Sequence, residues 1–134
     1  MLDKKRFSIV LMVLIYVILI MDILAFRFFL YWRFWWFDIV MHFLGGIWIM
    51  LVSYYIFYLS DYAEYVRHLS KKYSPFILSL SSIAFVGIFW ELFELTTKVS
   101  IQSNYVLDTS LDLFMDMSGW IVAYTYVEKR TRKR

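Results

Sequence analysis

Long apolar stretches alternate with short polar ones along this chain. Four stretches come close to or exceed the roughly 20 residues a helix needs to cross a bilayer. They are Phe7–Phe26, Phe37–Leu59, Phe76–Leu95 and Thr109–Val127. Asp112 and Asp116 interrupt the fourth, which makes it the weakest. None alternates as a barrel strand does, and backbone groups in lipid must be paired within helices or closed barrels. The pattern predicts an all-α integral membrane protein, a bundle of four transmembrane helices. There is no internal repeat, low-complexity tract or linker, so residues 1–134 are expected to form a single domain.

Composition sharpens this picture. The chain is 62% hydrophobic and 22% aromatic, with a mean hydropathy of +0.63. A soluble core of this length could not hide so much apolar surface. The first stretch follows Lys4-Lys5-Arg6, but it is too long for a signal peptide and no small-residue cleavage site follows; it is expected to be a retained anchor. With no cysteine, disulfides, thiolate chemistry and iron–sulfur ligation are excluded. Nothing points to nucleic acid. The basic tail from Glu128 to Arg134 reads as a membrane-surface anchor, so the expected partners are membrane lipids.

The basic residues give a topology. Four spans put the N-terminus, the middle loop and the C-terminus on one side. That side carries eleven basic residues: Lys4, Lys5, Arg6, Arg67, Lys71, Lys72, Lys129, Arg130, Arg132, Lys133 and Arg134. The other carries only Arg27, Arg33 and Lys98. The positive-inside rule then places both termini in the cytoplasm. Ser74-Pro75 suits a helix start just inside, and Thr97–Asp108 would be a short outer loop. The first outer connection, Phe28 to Phe37, has eight aromatics in ten residues. It reads either as an aromatic belt at headgroup level or as an interfacial or re-entrant lid. In the second case Arg27 and Arg33 would meet lipid phosphates.

This topology gathers the acidic residues at one level. Asp22 lies near the outer end of span one, and Asp38 and His42 open span two. Glu91 and Glu94 close span three, and Asp108, Asp112 and Asp116 open span four. A carboxylate in hydrocarbon costs a few kcal/mol or more, so it stays only when paired, metal-bound or functional. Asp38 and His42 are i, i+4; Glu91 and Glu94 are i, i+3; Asp108, Asp112 and Asp116 line one stripe. Gly45, Gly46 and Gly119 would let their helices approach closely.

So many carboxylates cannot all ionise side by side without cations. Arg27, Arg33 and Lys98 are the only basic residues on that side; shared protons or a divalent metal would meet the rest. Asp38, His42, Glu91, Glu94, Asp112 and Asp116 are the candidate ligands, and such a set suits Mg²⁺, Mn²⁺, Ca²⁺, Zn²⁺ or Fe²⁺. It departs from the Glu-x-x-His pattern of di-iron bundles. The alternative is an interhelical hydrogen-bond network with some carboxylates protonated. Asp108 is expected at the pocket's mouth, where it could also serve as the N-cap of the fourth helix, with Thr109 or Ser110 as other choices. Asp22 reads as structural.

Three motifs, Phe37-Asp38-x-x-x-His42-Phe43-x-Gly45, Trp90-Glu91-x-x-Glu94 and Asp108-x-x-x-Asp112 followed by Gly119, resemble small bacterial inner-membrane proteins of the YjdF type. More distantly the chain is similar to VanZ-like proteins, over scattered positions from about 36 to 120. That resemblance implies the site positions Asp38, His42, Glu91, Asp112, Asp116 and Gly119. Ile39 stands where the VanZ-like pattern has Lys, Glu94 where Gln is common and Asp116 where Asn is common. These departures make the pocket more acidic, which favours a cation ligand.

Three functions compete. The first is a metal-dependent membrane enzyme, a hydrolase or transferase, acting on a lipid or lipid-linked envelope substrate, with Glu94 as general base. The second is an ion or proton transporter or a homo-oligomeric channel, which needs polar groups across the whole bilayer; the inner halves offer only hydroxyls. The third is a non-catalytic envelope component fixed by its charge network. The topology is tested directly by single cysteines at Ser70 and Ser103 in intact cells. An impermeant thiol reagent should label position 103 and spare position 70; the reverse would invert the assignment.

Overall fold

The structure, a computed structural model, describes residues 3–60, 66–97 and 105–132. It is all-helical, with no strand among the described residues. Helix α1 spans Lys4–Phe28, α2 Leu30–Arg33, α3 Trp35–Tyr54, α4 Arg67–Lys72, α5 Pro75–Thr97 and α6 Tyr105–Arg132. A π-helical turn, Tyr55–Leu59, prolongs α3. Of these, α1, α3 with its π turn, and α5 are long and apolar enough to cross a membrane. Helix α6 has 28 residues, about 42 Å at 1.5 Å per residue, which is longer than the roughly 30 Å hydrocarbon layer. Its aspartates keep it from matching the other three in apolarity.

Local signals explain most helix ends. The Asp3 side chain caps α1 by accepting from the Lys5 amide at 3.0 Å. The turn into α2 is made by Phe29, whose φ of 56° is left-handed backbone that a bulky residue seldom adopts. The Ser74 hydroxyl accepts from the Ile77 amide at 3.4 Å and Pro75 opens α5, as Ser74-Pro75 led one to expect. Capping by Asp108, Thr109 or Ser110 is corrected. Helix α6 begins at Tyr105, so all three sit inside it. The Ser110 hydroxyl bonds back to the Val106 carbonyl instead. Lys98 and most of the Thr97–Asp108 connection, together with residues 61–65 of the Ser60–Pro75 connection, lie outside the described residues.

Side-chain contacts set the directions of the helices. Phe7 stacks against Tyr55, and Trp48 donates to the Leu11 carbonyl, while Ala25 meets Phe37 and Met41. So α1 runs antiparallel to α3. Gly87 faces Asp116, Trp120 donates to Ser79, and Thr109 donates to Glu91, so α5 runs antiparallel to α6. Helices α3 and α6 run parallel and share the most extensive interface. The end of α1, the start of α3, the end of α5 and the start of α6 therefore share one end of the bundle. The basic clusters at Lys4–Arg6, Lys71-Lys72 and Lys129–Arg132 gather at the other.

The core lies between α3, α5 and α6, where Met50, Ile83, Trp120 and Ala123 pack together. Phe85, Phe89 and Ile88 on α5, Phe114 and Ile121 on α6, and Ile9, Ile20 and Ile23 on α1 point outward. An apolar exterior of this kind suits lipid as the solvent. Glycine sets the α3–α6 distance. A Cβ added at Gly46 would overlap the Asp116 carbonyl, and one added at Gly119 would overlap the Phe43 carbonyl. At Gly45 it would meet only the Asp116 carboxylate, at 4.0 Å.

Gly46→Ala and Gly119→Ala should each destabilise the bundle by about 1–3 kcal/mol, because packed backbone must move apart. Gly45→Ala should be close to neutral. Thermal melts followed by circular dichroism in detergent will separate the three. A Gly119→Ala protein that melts like the parent would show that close approach does not hold these helices together.

Candidate functional site

The close α3–α6 crossing carries His42 into the acidic stripe of α6. Its Nδ1 lies 3.3 Å from Asp116 Oδ1. Its Nε2 lies 3.7 Å from Asp38 Oδ1 and 3.8 Å from Asp112 Oδ1. The first distance is a long hydrogen bond; the other two are beyond hydrogen-bonding range. The imidazole is thus held on one side by Asp116 and turns its other nitrogen toward two carboxylates. His42 is 7% exposed and Asp112 only 2%.

A second group forms on the α5 side. One oxygen each from Glu91, Glu94 and Asp112 lie within 4.8 Å of one another. Donor atoms of Asp38, His42 and Asp112 meet the same criterion. Asp112 belongs to both groups. Glu91 Oε2 accepts from the Thr109 hydroxyl at 2.6 Å, and Glu94 Oε1 accepts from the Trp90 indole at 2.9 Å. Glu91 Oε1 and Asp112 Oδ2 are buried with no hydrogen-bond partner among the described residues. An orphaned buried carboxylate oxygen is costly, and two in adjacent side chains call for a physical reason.

The structure therefore brings Asp38, His42, Glu91, Glu94, Asp112 and Asp116 into one region. Asp116 stands apart in belonging to neither ligand group, being engaged with His42 Nδ1. Asp108 is buried one turn before Asp112. Asp22 is in neither group and accepts from the Tyr31 hydroxyl at 2.8 Å. Burial first, then that bond to Asp22, raises the Tyr31 phenol well above its ordinary pKa, so it keeps the proton it donates. Arg27 and Arg33 have exposed side chains. Among the described residues, His42 is the only cation-capable side chain touching Asp38, Asp112 or Asp116.

Three supporting residues went unassigned from sequence: Thr109, Trp90 and Tyr31. Trp90 to Glu94 is an i, i+4 pair and was open to being found; the other two bonds depend on tertiary packing.

A cleft of about 770 Å³ opens beside the cluster, between α1 and α5. Ile15 and Ile18 wall it on one side, Val86 and Trp90 on the other. Asp22, Asp38, His42, Glu94 and Asp116 supply its charged and titratable groups, and the aromatic connection reaches it through Tyr31, Trp32 and Trp35. Volume and lining are those of a small-molecule site, apolar walls with a few convergent polar atoms. In the connection itself α2 is a single short helix, and Tyr31 packs edge-on against Phe37.

No curated protein and no solved structure matches the chain. A family model described as "Predicted membrane protein (DUF2238)" matches residues 2–133, and the chain belongs to that family of membrane proteins.

Proposed function

We propose that this is a four-span inner-membrane protein, both termini cytoplasmic, whose acidic pocket holds a divalent metal and acts on a lipid or lipid-linked substrate from the outer leaflet. The observation that carries the metal reading is the setting of His42. Metal-binding histidines almost always give their second ring nitrogen to a carboxylate or carbonyl, which fixes tautomer and orientation. Here Nδ1 meets Asp116, and Nε2 faces Asp38 and Asp112 across 3.7 and 3.8 Å. Two ligands that each sit about 2.0–2.2 Å from one ion are separated by up to about 4.4 Å, so those gaps fit a shared cation. The partnerless oxygens of Asp112 and Glu91 fit it as well.

Asp38, His42, Asp112, Glu91 and Glu94 would hold the metal, with Asp116 positioning His42. The oxygen-rich set with one imidazole suits Mg²⁺, Mn²⁺, Ca²⁺, Zn²⁺ or Fe²⁺. A bound ion supplies Lewis-acid activation of a phosphoryl or carbonyl oxygen and of water. Glu94 lines the cleft, and where the ion leaves its carboxylate spare it would serve as general base for a nucleophile entering there. The lateral cleft supports an amphipathic substrate, its tail along Ile15, Ile18 and Val86 and its head at the carboxylates. Arg27 and Arg33 flank that end for headgroup phosphates. The YjdF-type and VanZ-like resemblance supports the same positions.

One observation favours an enzyme over a transporter. Beyond the pocket the bundle is closed by Met50, Ile83 and Trp120, each at most 3% exposed, and the Ser79 hydroxyl there is already bonded to Trp120. Among the described residues of the single chain, that half offers no continuous polar path.

Metal content is the test. Protein purified in mild detergent should carry a stoichiometric divalent ion by elemental analysis. Chelation should lower its melting temperature by several degrees, since an ion at 100 times its Kd stabilises by about 2.7 kcal/mol. His42→Ala and Asp112→Asn should abolish the chelator effect. Glu128→Gln, whose carboxylate pairs with Arg132 at the opposite end, should leave it intact. Metal-free protein with unchanged melting would favour a protonated network and remove the metalloenzyme reading.

A further inference from the structure

We propose that the pocket is built for two divalent ions bridged by the Asp112 carboxylate, one held with Asp38 and His42, the other with Glu91 and Glu94. This rests on the reading of the pocket as a metal site, and adds its nuclearity and the division of labour among its ligands.

Three observations carry it. The candidate ligands divide into two groups of three, each compact to within 4.8 Å, with Asp112 in both. The groups have different origins: α3 supplies Asp38 and His42, while α5 supplies Glu91 and Glu94. Helix α6 packs against both, and Asp112 is the residue it contributes to each side. Among the described residues, no group of three this compact takes ligands from both α3 and α5.

The second observation is the state of the individual oxygens. Asp112 turns Oδ1 toward His42 Nε2, while Oδ2 is buried and partnerless among the described residues. Glu91 is held by Thr109 through Oε2, and its Oε1 is likewise buried and partnerless. The two orphaned oxygens thus belong to two members of the same α5-side group. A cation on that side satisfies both, and an ion lying only between Asp38 and His42 leaves Glu91 Oε1 without one.

The third is charge. Asp38, Asp112, Asp116, Glu91 and Glu94 are five carboxylates, and among the described residues no Lys or Arg pairs with Asp38, Asp112 or Asp116. If all five are ionised, one divalent ion leaves the set with three net negative charges in a buried site. A second leaves one. Unpaired buried charge is among the most costly features a fold can carry. Helix bundles that hold two metals likewise draw their carboxylates from facing helices, although the Glu-x-x-His motif of those bundles is absent here.

The test uses the purified full-length chain in detergent, stripped with chelator and reloaded with Mn²⁺. Elemental analysis gives ions per chain, and low-temperature electron paramagnetic resonance reports whether neighbouring ions are coupled. Two Mn²⁺ per chain with an exchange-coupled spectrum is the expected result. Glu94→Gln should drop the count to one and leave the resolved hyperfine lines of an isolated ion; Asp38→Asn should do the same from the other side. One ion per parent chain would overturn the pair and leave the single-metal reading standing. Two uncoupled ions would overturn the bridge through Asp112. No bound ion at all would remove this proposal together with the metal reading beneath it. The parent's count and spectrum decide the matter even where a variant fails to fold.

Discussion

The bundle depends on two backbones meeting without side chains between them. Gly46 of α3 lies against the Asp116 carbonyl, and Gly119 of α6 lies against the Phe43 carbonyl. In lipid there is little hydrophobic gain from helix association, so close packing has to supply the attraction. Here it also decides the chemistry. Asp116 is three residues before Gly119 and His42 is four before Gly46, so the contact that joins the helices sets the imidazole beside the aspartates. A wider crossing would draw His42 away from Asp112 and Asp116, which would lose their only cation-capable neighbour among the described residues.

That constraint explains the unequal polarity of the molecule. At one end, carboxylates from α3, α5 and α6 crowd into a buried pocket. At the other, Met50, Ile83, Trp120 and Ala123 make an ordinary apolar core. Concentrating the charge means that a single arrangement of cations, protons or hydrogen bonds can satisfy the whole group. Scattered singly, each carboxylate would need its own partner. Thr109 on Glu91, Trp90 on Glu94 and Asp116 on His42 fix the orientation of groups that would otherwise be free to turn away.

Much of this was legible in the chain. The first three apolar stretches lie within helices that overrun them by three residues or fewer at either end. The spacings Asp38 to His42, Glu91 to Glu94 and Asp108 to Asp116 told which residues share a helix face. What the sequence could not show were the ends of α6 and the roles within the cluster. Helix α6 starts four residues ahead of its apolar stretch and ends five beyond it, at Tyr105 and Arg132. Hydropathy reports where side chains prefer lipid, whereas a helix continues until something interrupts its backbone bonds, and nothing between Tyr105 and Arg132 does. Asp112 and Asp116 look alike in sequence. Only the direction of the His42 ring, set by tertiary packing, makes one a neighbour of Nε2 and the other the anchor of Nδ1.

The buried aspartates of α6 also bear on how the protein is made. On insertion scales an aspartate near the centre of a span costs about 2.5–3.5 kcal/mol. Under the four-span topology, α6 presents its carboxylate face to α3 and α5 and an apolar face, through Phe114, Ile121 and Val122, to lipid. Alone in the bilayer it would have no shelter for Asp112 or Asp116. Its entry is then a cooperative event that must follow α3 and α5, which offer the groove those residues occupy. Following α3 and α5 off the ribosome, α6 is thereby the helix whose integration reports that those two have already found each other.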